Sequence, residues 1–122
     1  MSLYLIFGVL IVHWVADFIL QTDEEAKGKS TSNSCLIAHT STYVICWAPI
    51  GLLYCITNGI NSLHLFAFLG ITFVAHTVTD YFTSRYNKYL WEKGDTHNFF
   101  VSVGFDQVLH YVQLFLTIKL LT

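Results

Sequence analysis

The chain has 122 residues, of which 54% are hydrophobic, 16% aromatic and only 11% charged, with a formal net charge of −2. A soluble domain carries about 25% charged residues, so a chain this short has too few charges to cover its apolar surface in water, and lipid is the solvent that fits. The small net charge and the lack of a basic patch exclude a nucleic-acid partner, and the length sets a single domain over residues 1–122.

Four apolar stretches, roughly Leu3–Leu20, Cys35–Thr57, Leu63–Phe82 and Phe99–Leu121, reach the length of about 18 residues that crosses some 30 Å of hydrocarbon. They predict transmembrane helices over about 3–21, 35–57, 63–84 and 99–121. The first is read as a span and not as a signal peptide. No basic residue precedes it, it has no small-x-small cleavage site, and His13 and Asp17 lie inside it. His13, Asp17 and Gln21 follow one another at four-residue intervals and so form one stripe.

The connection Gln21–Ser34 is polar and carries Lys27 and Lys29, with Asp23, Glu24 and Glu25 as a solvated face. The second stretch places His39, Thr42, Tyr43 and Cys46 on one face, and Pro49 is expected to kink it. Its cysteines, Cys35, Cys46 and Cys55, are read as packing thiols, because Cys35 and Cys55 would stand about 30 Å apart on a helix. A short turn, Asn58–Ser62, leads to the third stretch, which carries His76, Asp80 and Ser84 on one face and His64 at its outer, interfacial end.

The third connection, Thr83–Asn98, is expected to be a polar loop with Arg85, Lys88, Glu92, Lys93, Asp95 and His97, its Tyr86, Tyr89 and Trp91 lying along the membrane surface. The fourth stretch carries Asp106, His110 and Gln113. Gly8, Gly51 and Gly70 are expected to allow close helix approach. The expected fold is therefore an all-α integral membrane four-helix bundle with antiparallel neighbours. His13-x-x-x-Asp17 matches His76-x-x-x-Asp80, and each is followed by a polar connection and a helix with a histidine near its start, His39 and His110, which suits a duplicated two-helix unit. Five basic residues in the first and third connections against one near the C-terminus place loops 22–34 and 83–98 in the cytoplasm and both termini outside.

Each stretch thus has one polar face, which in lipid must point into the bundle. The polar groups come late in the first and third stretches and early in the second and fourth, so all four fall at one depth. Asp17, Asp80 and Asp106 together disfavour insertion by roughly 8–10 kcal/mol before partners are counted. Three compensations are open: a hydrogen-bonded packing network, a proton or ion relay, or a metal site. Imidazole with carboxylate suits zinc, manganese or iron. Seven donors (His13, Asp17, His39, His76, Asp80, Asp106 and His110) exceed the four of one closed zinc site, so one or two ions are expected.

At these residues the chain resembles the DUF3307-type family of small membrane proteins from bacteria and phages. The resemblance rests on His13-x-x-x-Asp17-Phe-x-Leu-Gln21, Leu36-Ile-x-His39, His76-x-x-x-Asp80 and Asp106-Gln107-x-x-His110. It is similar, more distantly, to the YdjM-like group of membrane-bound metal-dependent hydrolases, which implies a related activity and a bacterial inner (plasma) membrane location. The expectation is a hydrolase in which a divalent metal, zinc first, with manganese or iron as alternatives, activates water. Asp17 or Asp80 would act as general base, and Gln21, Tyr43 and Gln107 would orient an amphiphilic substrate such as a lipid or lipid-linked phosphate. The competing expectations are a transporter or channel for a divalent ion or proton, and a non-catalytic membrane interaction protein of phage type. The lipid bilayer is the expected partner, and the outer surface leaves room for a homo-oligomer.

Overall fold

The computed structural model describes residues 1–122 and is built of helices alone: α1 (Leu3–Trp14), continued by a π-helical turn (Val15–Ile19), then α2 (Asp23–Gly28), α3 (Asn33–Asn58), α4 (Ser62–Glu92) and α5 (Thr96–Leu121). The helices start where the sequence offers an oxygen to the first free amides. Ser2, Thr22, Ser32, Asn61 and Asp95 cap α1 to α5 in turn. At α2 the arrangement is reciprocal: the Glu25 amide donates to Thr22 Oγ1, and the Thr22 amide donates to Glu25 Oε2. Glycine ends two of the long helices. Gly59 (φ 65°) closes α3 and Gly94 (φ 78°) follows α4, both in the left-handed region that a side chain resists.

Three helices, α3, α4 and α5, are long and apolar enough to cross a membrane. The first apolar helix, Leu3–Ile19, falls below that length, so the bundle has three full spans and one shorter helix where four full spans were expected. Burial is inverted relative to a soluble domain. Of 21 buried residues, 10 are apolar and 11 polar, while Tyr4, Ile45, Leu63, Phe66 and Leu120 are among the many large apolar side chains left exposed. Such a surface is stable in hydrocarbon and not in water, which makes this an all-α membrane protein.

Two connections differ from expectation. The region 83–98 is not a loop: α4 runs on through Glu92, and only Lys93–Asp95 turn the chain. Nothing in Thr83–Glu92 breaks a helix, and the 31 residues of α4 extend about 46 Å, so its last turns project past a 30 Å hydrocarbon layer. There Arg85 donates to Asn33 Oδ1 at 3.1 Å, and its guanidinium lies 3.7 Å from the Tyr81 ring centre. The first connection is not plain loop either, since it folds the short α2 against the start of α3. A Cβ on Gly28 would stand 2.6 Å from Cys35 Sγ, so glycine permits that approach.

Of the glycines expected to ease helix packing, only Gly51 does so. A Cβ there would stand 2.5 Å from Leu65 Cδ1, whereas Gly8 and Gly70 face open space. Pro49 lies inside α3 without ending it. All three cysteines are free, and His64 and His97 are exposed, as read from the sequence. The apolar core, Val9, Ala16, Tyr43, Trp47, Phe68 and Leu114, forms one cluster next to the polar groups.

Candidate metal centre

The π-helical turn carries Asp17. The Leu20 amide donates to Val15 O, five residues back, at 2.9 Å. This widened turn packs against α3, and such turns recur at functional sites because they re-aim a side chain without ending the helix. Gln21, expected on the helical stripe, lies at a bend after it, and its Oε1 is buried without a partner.

Around Asp17 the helices bring together four donors: Asp17, His39 from α3, and His76 and Asp80 from α4. His39 Nε2 stands 3.0 Å from Asp17 Oδ1, 3.2 Å from Asp80 Oδ2 and 3.2 Å from His76 Nε2. His76 Nε2 stands 3.5 Å from Asp17 Oδ1 and 3.4 Å from Asp80 Oδ2. Donors on a tetrahedron with metal bonds of about 2.0 Å lie roughly 3.3 Å apart, and all five separations fall within a few tenths of an ångström of that value. Asp17 Oδ1 is buried, with the Nε2 atoms of both imidazoles beside it. His76 is clamped in place, stacked on Tyr43 (ring centres 4.0 Å apart) and on His110 (4.2 Å).

A second group, Asp17, Asp106 and His110, also brings one donor atom each within 4.8 Å of the others. His110 Nε2 is 3.0 Å from Asp80 Oδ1 and 3.3 Å from Asp106 Oδ2. Thr83 donates to Asp106 Oδ1 at 2.6 Å and so fixes that carboxylate.

His13 belongs to neither group. Gln107 turns its amide nitrogen to Asp106 Oδ2 (3.1 Å) and Asp17 Oδ2 (3.5 Å), so its Oε1 accepts from His13 Nε2 at 2.7 Å. That leaves His13 Nδ1 to accept from Tyr43 Oη, also at 2.7 Å. Both ring nitrogens are engaged, and His13 braces the cluster from outside. Tyr43, expected to orient substrate, is fully buried and does the same. Gln107 does reach open space.

Lys29, read from the sequence only as a loop charge, completes the cluster. Its Nζ is 3.2 Å from Asp80 Oδ2, and its backbone carbonyl lies 3.5 Å from Ser84 Oγ. Burial alone would lower the Lys29 pKa, but the Asp80, Asp17 and Asp106 carboxylates outweigh it and hold the ammonium above its ordinary value. Thr83 was also missed. Its place three residues after Asp80 was a usable signal, whereas nothing in helical periodicity points to Lys29. Both residues lie at the end of the bundle that bears Lys27, Lys88 and Arg85. A cleft of about 580 Å³ opens there, with Asp17, Asp106, Gln107 and Gln21 lining it alongside Lys27, Lys29 and Lys88, and with Trp91, Phe99 and Phe100 on its wall.

No curated protein and no solved structure shows significant similarity to the chain. The family profile described as "Protein of unknown function (DUF3307)" matches residues 5–122. With the helices and the buried His/Asp groups in place, the chain belongs to the DUF3307 family.

Proposed function

We propose that this protein is a membrane-embedded, metal-dependent hydrolase acting on an amphiphilic phosphate, a lipid or lipid-linked phosphate, at the cytoplasmic leaflet of a bacterial inner membrane. The observation that carries the reading is the four-donor set at near-tetrahedral spacing, one member of which, Asp17, also lines a cleft with lysines around it and aromatic residues on its wall. The lysines suit the charge of a phosphate, and Trp91, Phe99 and Phe100 suit a headgroup at the membrane surface. The basic end lies in the cytoplasm by the charge bias of the connections.

A divalent ion held by Asp17, His39, His76 and Asp80 would polarise the scissile group and lower the pKa of water toward neutrality. The chain's own groups do the rest. Asp17 and Asp106 both line the cleft, and the Gln107 amide holds one oxygen of each, Asp17 Oδ2 and Asp106 Oδ2. Either is placed to take the proton of an attacking water. Lys29, 3.2 Å from Asp80 Oδ2 and on the cleft lining, is there to meet the negative charge of the phosphate.

A second reading, transport of a divalent ion or proton, draws on Gln113, which donates to Thr72 Oγ1 and Thr117 Oγ1 and carries the polar stripe past His110 toward the far end of the bundle. Beyond that stripe the far end of the bundle is lined mainly by apolar residues such as Val9, Leu65 and Phe68, which favours the enzyme.

The test is metal content by plasma mass spectrometry, together with phosphate release from vesicles containing phosphatidic acid, for detergent-purified protein and for His76→Ala. Bound ion and chelator-sensitive release, both lost in the variant, are expected. A wild-type protein without metal, beside a folded variant, would sink the hydrolase and leave a packing core or a proton relay.

A further inference from the structure

The two carboxylates that the helices share out between the donor groups each divide their oxygens. Asp17 turns Oδ1 to His39 and His76, and Oδ2 toward Gln107, the neighbour of Asp106. Asp80 turns Oδ2 to the same two histidines, and Oδ1 to His110. A carboxylate that only braced a histidine would need one oxygen in the cluster. Asp80 thus touches histidines of both donor groups directly, and Asp17 is common to both groups, which is the sharing expected where two ions sit about 3.5–4 Å apart.

We propose that the centre binds two divalent ions. Asp17, His39, His76 and Asp80 enclose the first, and Asp106 and His110, with the second oxygens of Asp17 and Asp80, hold the other. This rests on the metal-dependent reading above and replaces one part of it, since the Asp17 and Asp106 oxygens held by Gln107 become ligands in place of a bare general base. The two positions differ in kind. The first has four protein donors, and its histidines are entirely buried. The second lies toward the cleft, where the Asp106 side chain keeps 12% of its surface exposed, which leaves coordination free for water or an anion.

Charge sets the order of filling. With neutral histidines, the carboxylates of Asp17, Asp80 and Asp106 and the Lys29 ammonium sum to −2. One divalent ion neutralises the centre. A second leaves it at +2, so the second ion binds more weakly than the first and is strengthened by an anion in the cleft.

The experiment loads the full-length protein in detergent with manganese and reads both stoichiometry and the electron paramagnetic resonance spectrum, with and without inorganic phosphate. Expected are two equivalents with an exchange-coupled signal, the second equivalent binding at least tenfold tighter with phosphate. Asp106→Asn and His110→Gln should keep one equivalent and show the six-line spectrum of an isolated ion. One equivalent with an uncoupled spectrum in the wild type overturns the two-ion centre, yet leaves the hydrolase reading standing if phosphate release persists. No bound ion removes both. Two coupled ions retained in Asp106→Asn and His110→Gln would show that the second ion is not where we place it. The wild-type spectrum decides the number of ions even where a variant fails to fold.

Discussion

The chain contains the pattern His-x-x-x-Asp twice, at His13–Asp17 and at His76–Asp80, and the two copies have different fates. The aspartates behave alike in part: each turns one oxygen to His39, while the second oxygen of Asp80 meets His110 and that of Asp17 accepts from the Gln107 amide. The histidines do not. His76 presents Nε2 to the cluster, with Tyr43 and His110 stacked on its faces, while His13 has both nitrogens taken by Tyr43 and Gln107. Local geometry contributes, because His76 and Asp80 sit on a regular α-helix and Asp17 sits in a π-helical turn. The neighbours contribute more. Helix α5 offers an amide, Gln107, to the first histidine and an imidazole, His110, to the second. Spacing therefore brings both histidines into the buried interior, and the partner across the bundle decides which of them has a lone pair left to give.

Replacing each histidine in turn tests that difference most strongly. His76→Ala removes a donor from the four-atom set and should strip the ion from the purified protein. His13→Ala removes only the brace, and losses of this kind cost about 10–100-fold in metal affinity. Competition against a chelator of known affinity separates the two outcomes. Equal losses in both variants would mean that His13 rotates into the cluster when the ion binds, and the contrast between the two copies would disappear.

A smaller effect isolates the brace itself. Tyr43→Phe keeps the ring that stacks on His76 and removes the hydroxyl that donates to His13 Nδ1. The imidazole nitrogen is then buried without a partner, at a cost of about 1–3 kcal/mol. The unfolding midpoint in detergent should fall accordingly, while the ion stoichiometry stays unchanged. A drop in stoichiometry would place Tyr43 in the cluster rather than behind it.

Much of this was legible in the sequence because membrane burial forces the issue. A polar stripe in an apolar helix has only one direction to face, so the apolar helices and the burial of His13, Asp17, His39, His76, Asp80, Asp106 and His110 follow from counting along the chain. Other features were not legible for equally physical reasons. The division of labour between His13 and His76 depends on which helix lies opposite, and periodicity within one helix carries no such information. The π-helical turn leaves no mark in composition. Lys29 reaches Asp80 from a connection, outside every helical stripe, so spacing along the helices carried no trace of it. The end of α4 was misjudged because charged and aromatic residues were taken to end the helix, whereas Thr83–Glu92 holds neither glycine nor proline, and charge does not stop a helix that has already left the hydrocarbon.

The smallest effect asks whether the asymmetry between the two copies is confined to the site. Each motif-bearing helix has a glycine shortly before its histidine, Gly8 on α1 and Gly70 on α4, and a Cβ at either would meet nothing within 4 Å. Alanine at each should therefore be tolerated, with a gain of up to about 1 kcal/mol from helix propensity and no change in ion binding. Gly51 on α3 is the control. Its Cβ would stand 2.5 Å from Leu65 Cδ1, the far end of a flexible side chain, so Leu65 must shift and that adjustment offsets the same propensity gain. The expected order of unfolding midpoints is Gly8→Ala and Gly70→Ala at or above wild type, with Gly51→Ala below both. If Gly8→Ala alone were destabilising, the first helix would pack more closely than the fourth along its whole length, and the contrast between His13 and His76 would begin in backbone spacing rather than in the partners that α5 supplies.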